Sequence, residues 1–169
     1  MAERTYTHTL IIQAPPERIL AALARYEVFI EHQLHRNLVG VRFLGERTGD
    51  DGIVRRWYRN TEHVRFGPFA FNVSNTATSY FDAQGALIGE AFQSPGVHVK
   101  AITTCAPQPD GPDGATLVEE TIQLTAPRLL MRTVYTQAKK AHDEKLLRLK
   151  AWLEAEQPAQ SAQQEQQAG

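Results

Sequence analysis

After Pro127 the apolar residues of this chain change their spacing, from every second position to every third or fourth. That change constrains the fold more than any other feature. Upstream, Tyr6, His8, Leu10 and Ile12 alternate with Thr5, Thr7, Thr9 and Ile11, the period of a strand that buries one face. Downstream, Leu129 to about Ala155 reads as one helix roughly 40 Å long. At 100° steps Met131, Val134, Ala138, Ala141, Leu149 and Trp152 fall on one face, with Tyr135 and Leu153 at its edge. Thr136, Lys140, Asp143 and Glu154 fall opposite. Leu147 also falls on that polar side and does not fit.

Between these ends the punctuation is regular. Ala14-Pro15-Pro16-Glu17 closes the first strand and opens a helix, because proline suits the first helical turn and a carboxylate suits the positive helix end. Ile19, Leu20 and Leu23 continue it, and a second short helix follows over about Val28 to Leu34. Six strand-like runs come next: Leu38 to Glu46, Ile53 to Val64, Phe69 to Phe81, Leu87 to Gln93, Val97 to Cys105 and Thr116 to Thr125. Turn signals separate them at Thr48 to Gly52, Gly67-Pro68, Asp82 to Gly85 and Pro107 to Gly114.

An antiparallel sheet cannot leave a whole apolar face in water, and the long helix carries a stripe to cover it. The expected fold class is α+β: seven curved antiparallel strands wrapping the C-terminal helix, with two short helices after the first strand. Ala138 and Ala141, mid-stripe, bring helix and sheet close or leave space between them. The Gln/Ala-rich run 157–169 has no periodicity and is expected to be disordered. That leaves 1–156 as a single domain, an ordinary size.

Composition excludes several classes. The chain of 169 residues carries a net charge of -1 and a pI near 6.6, without the basic footprint of a nucleic-acid binder. The short cluster Arg55, Arg56 and Arg59 reads as a solvated strand face. The single cysteine, Cys105, allows no internal disulfide and reads as a small core residue. No apolar run approaches a membrane span, and no apolar leader follows Met1. A cytoplasmic monomer or homodimer is expected, with no membrane insertion.

The segment Ile12-Gln13-Ala14-Pro15-Pro16-Glu17-Arg18-Ile19-Leu20 resembles the first strand and opening helix of the START-like (SRPBCC) superfamily. The closing helix, Arg128 to Glu154, resembles that family's C-terminal helix. The superfamily includes birch-pollen-allergen-type proteins, polyketide cyclases and aromatases, and lipid-transfer domains. The order of elements agrees over about residues 4–156. The resemblance implies a helix-grip fold with a pocket between sheet and helix. It implies no reaction, since many members only bind a ligand.

Polar residues on inward strand positions carry the chemistry, because a buried polar group must be satisfied. His8 shares a face with Tyr6 and Leu10, and Glu120 shares one with Val118 and Ile122. The resemblance makes the first and last strands neighbours, which brings His8 and Glu120 together as acid-base candidates; the plainer reading is a structural pair. Tyr58, Phe69, Phe71, Phe81 and Phe92 are candidate aromatic lining. Asn75, Ser79 and Thr103 are candidate polar anchors for a ligand. From the long helix come Met131, Val134, Tyr135, Ala138 and His142. Lys145 is expected to snorkel along the sheet rim. His32 and His35, three apart on the second helix, have ligand spacing but no partnering cysteine or acid, so neither a metal site nor another cofactor is expected.

Three functions remain open at this level. The first is binding of an apolar or amphipathic small molecule, such as a lipid, a polyketide-like compound or another aromatic. The second is a cyclase or dehydratase on a polyketide-like substrate. The third is an interaction or stress-response module with a vestigial pocket.

Overall fold

A computed structural model describes residues 1–66, 68–108 and 114–167, without the side chains of Phe66 and of 157–167. Its elements are β1 (Ala2–Gln13), α1 (Pro16–Leu23), α2 (Tyr26–Glu31), β2 (Leu38–Thr48), β3 (Val54–Phe66), β4 (Phe69–Phe81), β5 (Leu87–Gln93), β6 (Val97–Pro107), β7 (Ala115–Ala126) and α3 (Arg128–Gln167). The sheet order is β1-β7-β6-β5-β4-β3-β2, with every pair antiparallel. Thus β2 to β7 form a meander, and β1 returns beside β7. The tail 157–169, expected to be disordered, and most of the loop between Pro107 and Gly114 lie outside the described side chains.

Local chemistry sets the element ends. Pro16 occupies the first turn of α1, with Glu17 beside it at the positive end. α2 begins two residues before the expected Val28 and ends at Glu31, three before the expected Leu34. Gln33 adopts a positive φ of 50°, which stops the helix and turns the chain. The Leu34 N–H then donates to the Phe29 carbonyl at 2.9 Å, and Leu34 is fully buried. His32 and His35 therefore leave the helix in different directions. His32 stacks on Trp152 with ring centroids 3.8 Å apart, whereas His35 meets His142 edge-on at 6.1 Å.

Alternation decides what the sheet buries. On β7, Thr116, Val118, Glu120, Ile122, Leu124 and Ala126 all face the interior. α3 crosses this face and is tied to edge strand β1, to the turn after α2 and to β3. Lys150 Nζ donates to the Ile11 carbonyl at 2.7 Å, and Glu154 Oε1 accepts from the Gln13 N–H at 2.9 Å. Arg148 donates to the Gln33 carbonyl at 2.6 Å, and Gln137 Nε2 to the Arg65 carbonyl at 2.5 Å.

The core has two parts. One joins Ile12, Ile19, Leu23, Phe29 and Leu34 to Val118 of β7 and to Leu146, Leu149 and Leu153 of α3. The other joins Val97, Ile122, Leu124 and Ala126 to Met131, with Val134 and Ala138 packed against it. On β7 the break falls between Val118 and Ile122, at Glu120. On α3 it falls between Ala138 and Leu146, where His142 and Lys145 stand.

The bland readings of two other features fit their surroundings. Arg55 pairs with Asp51 at 2.6 Å and Arg56 with Glu46 at 2.9 Å, both contacts open to solvent. Cys105 packs against the first core cluster, and burial pushes its thiol up to about 11, which keeps it protonated and unreactive.

Candidate functional site

A cavity of about 390 Å³ occupies the seam between the two core clusters, under α3. Its walls are mostly apolar. Leu23, Phe29, Leu38 and Leu87 come from the first cluster, and Val97, Val99, Ala101, Val134 and Ala138 from the second. Ala138 and Ala141 line it from the helix. Of the two outcomes open for these small side chains, close approach or space beneath the helix, space is the one found.

Glu120 stands at the centre of the polar wall and is 1% exposed. Its Oε1 accepts from Lys145 Nζ at 2.5 Å and from Thr103 Oγ1 at 3.3 Å. Its Oε2 lies 3.0 Å from His142 Nδ1. Burial would raise this carboxyl, but Lys145 and His142 together outweigh it and hold Glu120 well below the usual carboxylate range. Burial, reinforced by the Lys145 charge, lowers His142 against the pull of Glu120, so the imidazole is neutral at pH 7. Lys145 Nζ also lies 3.2 Å from Nδ1; the tautomer that donates from Nδ1 to Glu120 leaves Nε2 its lone pair.

His35 also lines the cavity. Its Nδ1 is buried and without a partner. Burial first, then His142 and Lys145, push its pKa down to about 3. A second carboxyl, Glu62, accepts from Asn75 Nδ2 at 2.6 Å, and burial raises its pKa. Tyr26 joins the lining, its ring 4.9 Å from that of Tyr58. Burial, then Glu62, pushes its phenol well above the ordinary tyrosine range.

The candidates named from the sequence divide into two groups. Glu120, Phe71, Ser79, Thr103, Val134, Ala138 and His142 line the cavity; Ser79 donates to the Ala24 carbonyl at 2.7 Å. The others sit elsewhere. His8 is registered opposite Glu120, but its Nδ1 stands 3.0 Å from Asp143 Oδ1, without hydrogen-bond alignment. The two side chains therefore serve different partners. Tyr58 is buried against Tyr26 and Phe43 behind the wall, and Asn75 sits behind Glu62. Met131 belongs to the second core cluster, and Tyr135 packs edge-on against Tyr6 at 5.6 Å. Phe69 and Phe81, at the two ends of β4, are exposed. Phe92 lies one position out of phase with Leu87, Gly89 and Ala91 of the lining, so it points outward and stacks on His98 at 4.4 Å.

Lys145, expected at the sheet rim, is instead 4% exposed and bound to Glu120. A lysine can be buried when a carboxylate neutralises it. Glu62, Tyr26 and His35 were not singled out as lining. Parity carried a signal for Glu62, which shares the inward face of β3 with Tyr58.

No protein-family model matches the chain, and no curated protein matches it in sequence. Solved structures do match. A START superfamily protein from Mycobacterium smegmatis is similar over 89% of this chain and 97% of its own, with a TM-score of 0.66 and 16% identity. The ZhuI aromatase/cyclase from Streptomyces sp. R1128 is similar over 92% of this chain and 96% of its own, with a TM-score of 0.69 and 14% identity. The di-domain aromatase/cyclase BexL of the BE-7585A biosynthetic pathway is similar over 88% of this chain and 49% of its own, with a TM-score of 0.62 and 13% identity. The fold is the START-like helix-grip fold.

Proposed function

We propose that this protein binds an apolar or amphipathic small molecule in the seam under α3. One observation carries the reading: a cavity of about 390 Å³ with apolar walls and one buried polar cluster. That volume lies within the range of small-molecule sites. Apolar area removed from water would supply affinity at about 25 cal/mol per Å². The Glu120-His142 wall would orient the polar end of the ligand. The aromatase/cyclase proteins among the structural neighbours support ring-containing, polyketide-like compounds as the class to try first.

Titration with prodan, a neutral apolar fluorophore, tests the reading. Wild-type protein is expected to bind it with a blue shift and a stoichiometry of one. Ala138→Phe, which fills the space under the helix, is expected to weaken binding at least tenfold while the far-UV spectrum stays unchanged. Equal binding by the two proteins would count against the cavity as the site.

A second reading has its own support. Burial favours a neutral His142, and in the tautomer that donates from Nδ1 to Glu120 its other nitrogen is free to accept a proton. That is the arrangement of a general base in a cyclase or dehydratase. His142→Gln would then abolish turnover of a polyketide-like substrate and leave prodan affinity within about twofold.

A further inference from the structure

The charges of the cavity wall set a condition on what enters it. Among the described residues that line the cavity, Lys145 is the one cation, and Glu62 and Glu120 are both carboxyls. Lys145 is already committed: its Nζ lies 2.5 Å from Glu120 Oε1. Both Glu120 oxygens are occupied, one by Lys145 and Thr103 and the other by His142. An incoming carboxylate or phosphate therefore meets no free cation and stands near two acids. Its hydration would be lost without repayment.

The same wall does offer acceptors. His35 Nδ1 is buried and has no partner, and it is an acceptor in the tautomer protonated at Nε2. In the tautomer that donates from Nδ1 to Glu120, His142 keeps the lone pair of Nε2. Buried acceptors of this kind are satisfied by a hydroxyl or amide N–H, or by trapped water.

We infer that the cavity selects ligands whose buried end is a neutral hydrogen-bond donor, a phenol or alcohol, and rejects ligands that end in an anion. The inference rests on the binding reading above and narrows its substrate class. Free fatty acids are excluded as ligands; hydroxylated aromatic and neutral alcohol-bearing compounds are admitted. The neutral state of both imidazoles, which burial favours, agrees with acceptors rather than cations at this wall.

Calorimetry with four probes of one shape tests it: 2-naphthol, 2-methoxynaphthalene, 2-naphthoate and 2-naphthylmethylammonium, near pH 7. Naphthol is expected to bind at least tenfold tighter than naphthoate and several-fold tighter than the methoxy compound, which cannot donate. Naphthoate or the ammonium compound binding as tightly as naphthol would overturn the inference. So would equal binding of naphthol and its methyl ether. If none of the four bound, the binding reading itself would fall.

A charge variant gives an independent arm. Glu120→Gln frees Lys145, so the affinity ratio should move toward naphthoate by at least tenfold. Should that variant not fold, Glu120→Gln with Lys145→Met removes both charges and should retain the preference for naphthol. A reversed preference in the double variant would overturn the assignment.

Discussion

Glu120 is the residue on which this molecule turns, because removing its partner strands a charge in the core. A buried pair broken on one side costs about 3–5 kcal/mol, whereas replacing both partners with apolar residues is often neutral. Lys145→Ala and Glu120→Ala are each expected to lose stability in that range in urea unfolding. Glu120→Leu with Lys145→Met is expected to lose much less than the sum. The acid limb follows from three depressed groups. Glu120 is held below its ordinary value, His142 is lowered, and His35 sits at about 3 against an ordinary 6.5. In each case the unfolded chain takes up the proton first as pH falls. The histidine contribution is therefore complete above pH 6.5 and is lost on acidification toward pH 3. Glu120 adds its own loss below the ordinary carboxylate range. The urea midpoint should drop between about pH 7 and about pH 5, and His35→Gln should reduce that drop. An unchanged midpoint would show that the imidazoles are not buried as neutral groups. Glu120 was legible in the sequence as an inward polar residue by parity along β7. Its partner was not, because a lysine beside an apolar stripe ordinarily reaches for water, and strand spacing cannot say where a helix sets down on the sheet.

At the scale of elements, α3 shows what periodicity can and cannot supply. The apolar stripe was legible, and Leu147, which did not fit it, is 52% exposed. The centre of the stripe was misjudged. Leu153, placed at the edge, is fully buried, as are Leu146 and Leu149, while Trp152 is only partly buried against the first core cluster. The reason is tertiary: α1, α2 and the end of β1 add a second apolar surface on that side, and the helix meets it as well as the sheet. Leu149→Ala should cost about 2–5 kcal/mol, and Leu147→Ala should stay within about 0.5 kcal/mol, both read by chemical denaturation. The strands were legible almost to their ends, since alternation and turn residues agree. α2 was drawn past its end because the left-handed turn at Gln33 carries no glycine to announce it.

For the whole molecule, the two core clusters and the seam between them matter more than any single wall residue. The interruption is visible on both facing elements: Val118-Glu120-Ile122 on β7, and His142 and Lys145 within the stripe of α3. A domain of this length could have closed that space with larger side chains; Ala138 and Ala141 leave it open. A ligand that binds only the folded state stabilises by about 2.7 kcal/mol at a hundredfold excess over its dissociation constant. Wild-type protein should therefore show a Tm that climbs with 2-naphthol concentration, and Ala138→Phe should show no such climb. The most direct measurement is a crystal structure of the protein grown with 2-naphthol. The account predicts the naphthalene ring between β7 and α3, with its hydroxyl within hydrogen-bond distance of His35 or His142. A seam closed by repacked side chains, or naphthol bound only outside it, would contradict the account.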